Sequence, residues 1–288
     1  MRALAAALVF ASAVLSGIAD AAAQRSLTLP ALDSAIESNQ YRRIEAVLVQ
    51  RGGEVLLERY YGDTTRETRV DARSTGKSIT AIAVGIAIDE GALSGVDARV
   101  FDMLEGGAPF AHDGPLKRAI TVRDFLTMSS ALACNDWEDS PGNEERMYRR
   151  REWTRFALDI PTVDDYARDE NGLGPFSYCT AGAFLLGRVV ERATGEPFDE
   201  YVQSRLFTPL GIEGAGWRRS PFGEVQSGGQ LSLRARDFAA IGRLILDGGV
   251  AGERRLISSE WLREMGRPVR RATPVDGYAY LWWVRNFN

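Results

Sequence analysis

Two adjoining β-rich runs near one end of this chain and a single one at the other frame a long, mostly helical middle, and that order constrains the fold more than any other feature. Ile44 to Gln50 and Val55 to Tyr61 are rich in β-branched and aliphatic residues, and Arg51-Gly52-Gly53-Glu54 between them supplies the turn of a hairpin. The remaining strand pattern is the aromatic, alternating run Tyr278 to Val284, so the hairpin is expected to find its partners in the C-terminal region. Between these ends the apolar spacing predicts helices over Leu32 to Ser38, over Ser74 to Glu90 with Gly91 as the stop, over Thr180 to Ala193 ending at Gly195, and over Phe198 to Leu206. Thr121 with Asp124 three residues on forms a capping-box start for a helix through Leu126, and Ser232 reads as the N-cap of a helix reaching Leu246. Asn135 to Arg151 is polar and carries Pro141-Gly142, which reads as an extended surface loop. The fold class expected is α+β, an antiparallel sheet flanked by helices with a large helical insertion.

Composition excludes several functions. The chain has 288 residues, 45% of them hydrophobic, with 35 Lys+Arg against 39 Asp+Glu and a net charge of −4. No basic run is present, which argues against nucleic-acid binding. His112 is the one histidine, and with Cys134 and Cys179 it cannot build a His/Cys zinc site. Only Lys77 and Lys117 are lysines, and arginine does not deprotonate in proteins. Acid/base chemistry must therefore use carboxylates, tyrosines or one of these two amines.

The first residues address compartment. Met1-Arg2 precedes an apolar run from Ala3 to Ala19, then Asp20 and three small residues, which is the pattern of an export signal over 1–23 cleaved after Ala23; a retained membrane anchor is the alternative. Residues 24–288 would then form a periplasmic or secreted domain with no stable membrane insertion after cleavage, because no later apolar stretch is long enough to span a bilayer. In an oxidising compartment Cys134 and Cys179 are candidates for a disulfide closing a loop of about 45 residues, with two buried thiols as the alternative.

Arg73-Ser74-Thr75-Gly76-Lys77-Ser78 places a serine and a lysine three apart at the start of a helix, on one face and within mutual reach. The helix N-terminus adds partial positive charge near Ser74, and a buried neutral Lys77 could accept its proton. An N-cap serine beside a solvated lysine is the alternative reading. Phe176-Ser177-Tyr178-Cys179-Thr180 stands just ahead of another helix, where Tyr178 could relay protons and Thr180 could offer a hydroxyl to a substrate amide, or Tyr178 could be a core residue.

Taken together, Arg73 to Thr80 (RSTGKSIT), Ile120 to Leu132 (ITVRDFLTMSSAL), Phe176 to Gly187 (FSYCTAGAFLLG), Pro209 to Ile212 (PLGI), Gly228 to Leu231 (GGQL) and Tyr280 to Val284 (YLWWV) resemble the serine β-lactamase-related family. The family includes class C β-lactamases, D-alanyl-D-alanine carboxypeptidases, esterases and 6-aminohexanoate-oligomer hydrolases. The resemblance implies a β-lactamase/transpeptidase-like fold, an acylated nucleophile at Ser74, an assisting amine at Lys77, and Tyr178 as the tyrosine that works with the lysine. It implies no cofactor, and as partner a small-molecule or peptide-like ester or amide substrate. Thr180 stands where the family's Tyr-x-Asn motif has asparagine, Cys179 where serine is usual, and Met128 where histidine is common. A bridge from Cys179 to Cys134 would pin the tyrosine segment. The family's third motif, on a strand after the Trp-Trp segment, would fall beyond Asn288, so the C-terminal strands are expected to be missing. Two other readings are a non-catalytic penicillin-binding-like module and an inactive truncated fragment.

Overall fold

The computed structural model describes residues 30–41, 43–104 and 109–285, and the expected export signal over 1–23 lies outside them. The chain divides between Thr68 and Arg69 into two compact units. In the first, the helix Pro30–Glu37 precedes the strands β1 (Ala46–Arg51) and β2 (Glu54–Tyr60). These pair antiparallel from Ala46 opposite Tyr60 to Arg51 opposite Glu54, with a bulge between Val49 and Gln50. Gly52 and Gly53 both take positive φ, at 58° and 90°, which a two-residue hairpin turn of the right twist requires. The Tyr61 hydroxyl donates to Asp33 at 2.7 Å and ties the strand end to the helix.

The second unit is a mixed layer of helices and short antiparallel strands. Its centre is the pair of helices Gly76–Asp89 and Thr180–Thr194, packed against each other. The first is apolar almost all round, with Ile79, Ile82, Val84 and Ile86 buried together, so it can only sit in a core. Gly85 lets the indole of Trp261 lie directly on this helix, where a Cβ would come within 2.2 Å of the ring; Trp261 Nε1 donates to the Ala81 carbonyl at 3.0 Å. Around the pair stand the short helices Val100–Leu104, Pro115–Arg118, Val122–Leu126 and Trp153–Leu158, and later Ala235–Leu246 and Ser259–Gly266. Thr121 and Asp124 form the predicted capping box, each side chain accepting the other's backbone N–H.

Three small sheets complete the unit. β3 (Val70–Asp71) and β4 (Gly216–Trp217) flank β5 (Leu231–Leu233); β6 (Val250–Ala251) pairs with β7 (Arg254–Arg255); β8 (Arg270–Arg271), β9 (Gly277–Tyr278) and β10 (Trp283–Val284) pair in the order β10-β9-β8. The α+β class is as expected, and the differences are local. The run Tyr278 to Val284 is not one strand but a tight hairpin: Leu281 takes φ 53°, the Ala279 N–H donates to the Trp282 carbonyl, and Trp283 returns opposite Tyr278. Aromatic alternation survives such a turn, so pattern alone does not reveal it. β1 and β2 pair with each other alone among the described residues. Ser232 is not an N-cap but the middle of β5, and the helix starts after Arg234, whose N–H donates to Asp237 at 2.9 Å. The helix from Phe198 changes at Gln203 from α to a wider π turn.

Both lysines are buried, each about 1% exposed. Lys117 donates to the Ala111 and Leu158 carbonyls, both at 2.8 Å, and lies 5.4 and 5.3 Å from the ring centres of Phe101 and Phe110. Burial lowers Lys77 and Lys117 alike to about 8. Below pH 8 the folded protein carries two buried ammonium groups. As pH rises from 8 toward the unfolded lysine value of about 10.4, the folded state sheds those protons first and stability rises. Urea unfolding is expected to show a gain of about 2 kcal/mol for each lysine, about 4 kcal/mol for the two together, from pH 7.5 to 9.5. A flat or falling stability over that window would contradict the burial of these charges.

Candidate active site

β3 leads through Ala72 into a single 3₁₀ turn, Arg73–Thr75, and then into the helix Gly76–Asp89. Arg73 takes φ 49°, a left-handed conformation that costs a non-glycine residue about 1 kcal/mol or more. Its surroundings hold it there: the Arg73 N–H donates to Asp71 Oδ1 at 2.8 Å, and its carbonyl accepts the Gln230 N–H at 3.1 Å. Behind the turn, Gly229 has φ 152°, and a Cβ there would stand 3.0 Å from the Arg73 carbonyl oxygen. The two backbones can approach only because residue 229 has no side chain. The sharp turn leaves Ser74 exposed at the helix start, while Lys77, one helical step on, is buried beneath it.

Lys77 Nζ lies 3.0 Å from Ser74 Oγ. The Tyr178 phenol stands close enough to Ser74 for the serine to favour its charged form, and Lys77 Nζ is 4.9 Å from the centre of its ring. Residues a hundred positions apart in the chain thus meet around one hydroxyl. Burial raises the Tyr178 phenol, with Ser74 opposing, so Tyr178 keeps its proton at neutral pH. Burial lowers Lys77, with Glu144 and Asp136 opposing, to about 8. About a tenth of Lys77 is then neutral at pH 7, a useful supply of free amine.

The tyrosine segment is anchored on the loop after Val122–Leu126. Cys134 and Cys179 form the predicted disulfide, with Cα atoms 5.3 Å apart. Ser177 N–H donates to the Met128 carbonyl at 2.8 Å and Ser177 Oγ to the Cys134 carbonyl at 2.7 Å. Met128 itself takes φ 53° and its sulfur accepts the Cys179 N–H at 3.2 Å. Thr180 opens the helix Thr180–Thr194 and is 1% exposed; its hydroxyl lies beside the Asp136 carboxylate without a well-aligned hydrogen bond, and its Cγ2 faces Gly228. The hydroxyl expected to meet a substrate amide is therefore turned into the protein.

Sequence reasoning overlooked the residues around this segment. Asn135 to Arg151 is not simply a surface loop: Asn143 caps the helix Glu144–Tyr148, accepting the Glu145 N–H at 2.9 Å, and Met147 is fully buried. A five-residue helix has too few apolar positions to show a period, although the Asn-Glu-Glu start was a usable capping signal. Within this stretch Trp137 lies parallel to Tyr178, centroids 5.5 Å apart, and Trp283 lies 6.0 Å from the same ring. Both indoles are partly open to solvent, Trp137 at 57% and Trp283 at 39%, so an apolar aromatic wall borders the tyrosine.

An exposed serine hydroxyl held by a buried amine, with a protonated phenol beside it at the start of a core helix, is the equipment of a serine hydrolase. A family model described as Beta-lactamase matches residues 32–288, and the chain belongs to this β-lactamase family of serine hydrolases. It is 30% identical over 275 residues to the 6-aminohexanoate-dimer hydrolase of Paenarthrobacter ureafaciens, covering 88% of this chain and 67% of that one. It is 29% identical over 189 residues to esterase EstB of Burkholderia gladioli, covering 59% of this chain and 46% of the esterase. Among solved structures, the penicillin binding protein from Bacillus halodurans superposes with a TM-score of 0.66 at 21% identity, covering 89% of this chain and 84% of that one. The last likeness establishes the β-lactamase/transpeptidase-like fold. This chain spans about two thirds of the first relative and less than half of the esterase.

Proposed function

We propose that this protein is an exported hydrolase that cleaves ester, amide or β-lactam-like bonds through an acyl-enzyme on Ser74. The observation that carries the reading is the 3.0 Å approach of a buried Lys77 amine to the Ser74 hydroxyl, with the Tyr178 phenol beside it. In this mechanism neutral Lys77 accepts the Ser74 proton as Oγ attacks the substrate carbonyl. The helix N-terminus at Ser74 favours the negative charge that develops on the carbonyl oxygen. The carbon–leaving group bond then breaks, and protonated Tyr178 gives its proton to the departing oxygen or nitrogen while Lys77 returns one to the phenol. Water attacks the acyl-serine as Lys77 takes its proton, the acyl–Oγ bond breaks, and Lys77 passes that proton to Oγ, giving the carboxylic acid and free Ser74.

Two relatives, one named a 6-aminohexanoate-dimer hydrolase and the other an esterase, support amide and ester bonds as targets. Export rests on the composition of residues 1–23. The burial of Thr180 leaves substrate-amide recognition to other groups and favours esters or small amides.

A fluorophosphonate probe and a fluorescent penicillin separate this reading from a non-catalytic penicillin-binding-like module and from an inactive fragment. The expected result is a single adduct mapping to Ser74, abolished by Ser74→Ala, together with turnover of a p-nitrophenyl ester by the unlabelled protein. Neither probe reacting would sink the hydrolase reading, and an adduct that persists in Ser74→Ala would move the nucleophile elsewhere.

A further inference from the structure

We propose that Asp136 is a positioning residue of this site: it clamps the backbone that follows Tyr178, holding the Tyr178 carbonyl and the Thr180 N–H on either side of Cys179, and so fixes the phenol beside Ser74. The inference rests on the hydrolase reading above for its kinetic consequences, but the clamp itself stands on geometry.

The Asp136 N–H donates to the Tyr178 carbonyl at 2.8 Å. Its Oδ2 accepts the Thr180 N–H at 2.7 Å, and its Oδ1 accepts the Glu144 N–H at 2.8 Å. One carboxylate therefore receives the first amides of two helices, each a position where negative charge is favoured. Cys134, two residues earlier, is bonded to Cys179. Each of Tyr178, Cys179 and Thr180 is thus held by a residue of the 134–136 turn, which leaves the phenol little freedom to leave Ser74. Loosening such a contact by about 1 Å can cost about a hundredfold in rate.

Glu144 takes part from the other side. Its Oε2 accepts the Tyr148 hydroxyl at 3.0 Å, that hydroxyl accepts Gln226 Nε2 at 3.1 Å, and Gln226 Oε1 accepts the Gly228 N–H at 2.9 Å. Gly228 adjoins the glycine that backs the Ser74 turn. A chain of hydrogen bonds thus runs from Glu144 to the backbone that supports the Ser74 turn. The titratable and charged groups acting on Lys77 are Asp136 from the loop, Glu144 from the short helix and the Tyr178 ring; Ser74 is its hydrogen-bond partner. Burial lowers the Lys77 amine and both carboxylates oppose that, which keeps the base from becoming too weak to take a proton.

The test is the pH–rate profile of Ser74 acylation in three variants of the full chain. Asp136→Asn removes the charge and one of the two accepted hydrogen bonds. It is expected to lower the plateau rate by about 10- to 100-fold and to move the acid limb down by about half a pH unit, because the ammonium form of Lys77 loses a counter-charge. Asp136→Glu keeps the charge but misplaces it, so the plateau should fall while the limb stays near the wild-type position. Glu144→Gln keeps the clamp and should shift the limb down with a smaller loss of plateau than Asp136→Asn. A wild-type plateau in both Asp136 variants would overturn the proposal. If Asp136→Asn does not fold, a full-rate Asp136→Glu overturns it. Hydrogen exchange supplies a readout independent of activity: the Thr180 and Glu144 amides should exchange faster in Asp136→Asn, and unchanged protection would refute the clamp. A wild-type protein that forms no Ser74 adduct would refute the hydrolase reading and leave that exchange result to decide the clamp.

Discussion

Lys77→Arg is expected to lower the rate of Ser74 acylation by about a thousandfold or more and to abolish its rise with pH. The side chain stands 3.0 Å from Ser74 Oγ in a buried site, and only a group that can lose its proton there can accept one from the serine. Arginine keeps the positive charge at every usable pH and has no acceptor, so it holds the electrostatics while deleting the base. A general base typically contributes about 10² to 10⁴, and the guanidinium must also be fitted where a slimmer amine was enclosed. The wild-type rate should climb through about pH 8, because the neutral fraction of Lys77 grows as pH approaches and passes that value. Single-turnover release of p-nitrophenol from an ester, followed from pH 6 to 9.5, measures both effects. A Lys77→Arg protein within tenfold of wild type would show that the amine is not the base. The helix N-terminus would survive the substitution, so a small residual rate is expected and is not a contradiction.

Removing the Cys134–Cys179 bridge should have the largest effect on stability. The bridge links residues 45 apart in sequence, and closing a loop of that length is worth about 4 kcal/mol on the chain-entropy model. For a domain of this size that corresponds to a melting temperature about 10 °C lower. Part of the effect is local, since Cys179 Sγ also accepts the Gly182 N–H at 3.2 Å and so caps the helix Thr180–Thr194. Activity at 25 °C should fall less than stability, by about tenfold or below, because Ser177, Tyr178 and Thr180 keep hydrogen bonds to Met128, Cys134 and Asp136. Calorimetry of Cys134→Ala/Cys179→Ala, and of the native protein with and without reductant, gives the comparison. Coincident melts in all three conditions would show that the bridge contributes nothing.

The aromatic wall formed by Trp137 and Trp283 illustrates why the serine–lysine pair was easier to read than its surroundings. Ser74 and Lys77 lie within one helical turn, and their relation follows from helix geometry once a helix is recognised. Trp137, Tyr178 and Trp283 come from three separate segments, and nothing in the spacing of distant residues says which rings will face one another. The same holds for Asp136, an unremarkable acid in a polar stretch until the fold sets its two oxygens against the first amides of two helices.

The local features are legible in the order of residues: the Gly52-Gly53 hairpin, the Thr121/Asp124 capping box, the apolar helix behind Ser74, and the pairing of that serine with a scarce lysine. These depend on neighbours a few residues apart, whose geometry is set by backbone periodicity and capping chemistry. It took the assembled fold to show that Lys77 is buried and its amine lowered to about 8, that Thr180 turns inward, that Ser232 lies in a strand between two partners, and that Tyr178 comes beside Ser74. Each of those depends on desolvation and packing between segments far apart in the chain, and desolvation is a property of the assembled core that no short stretch of residues carries alone.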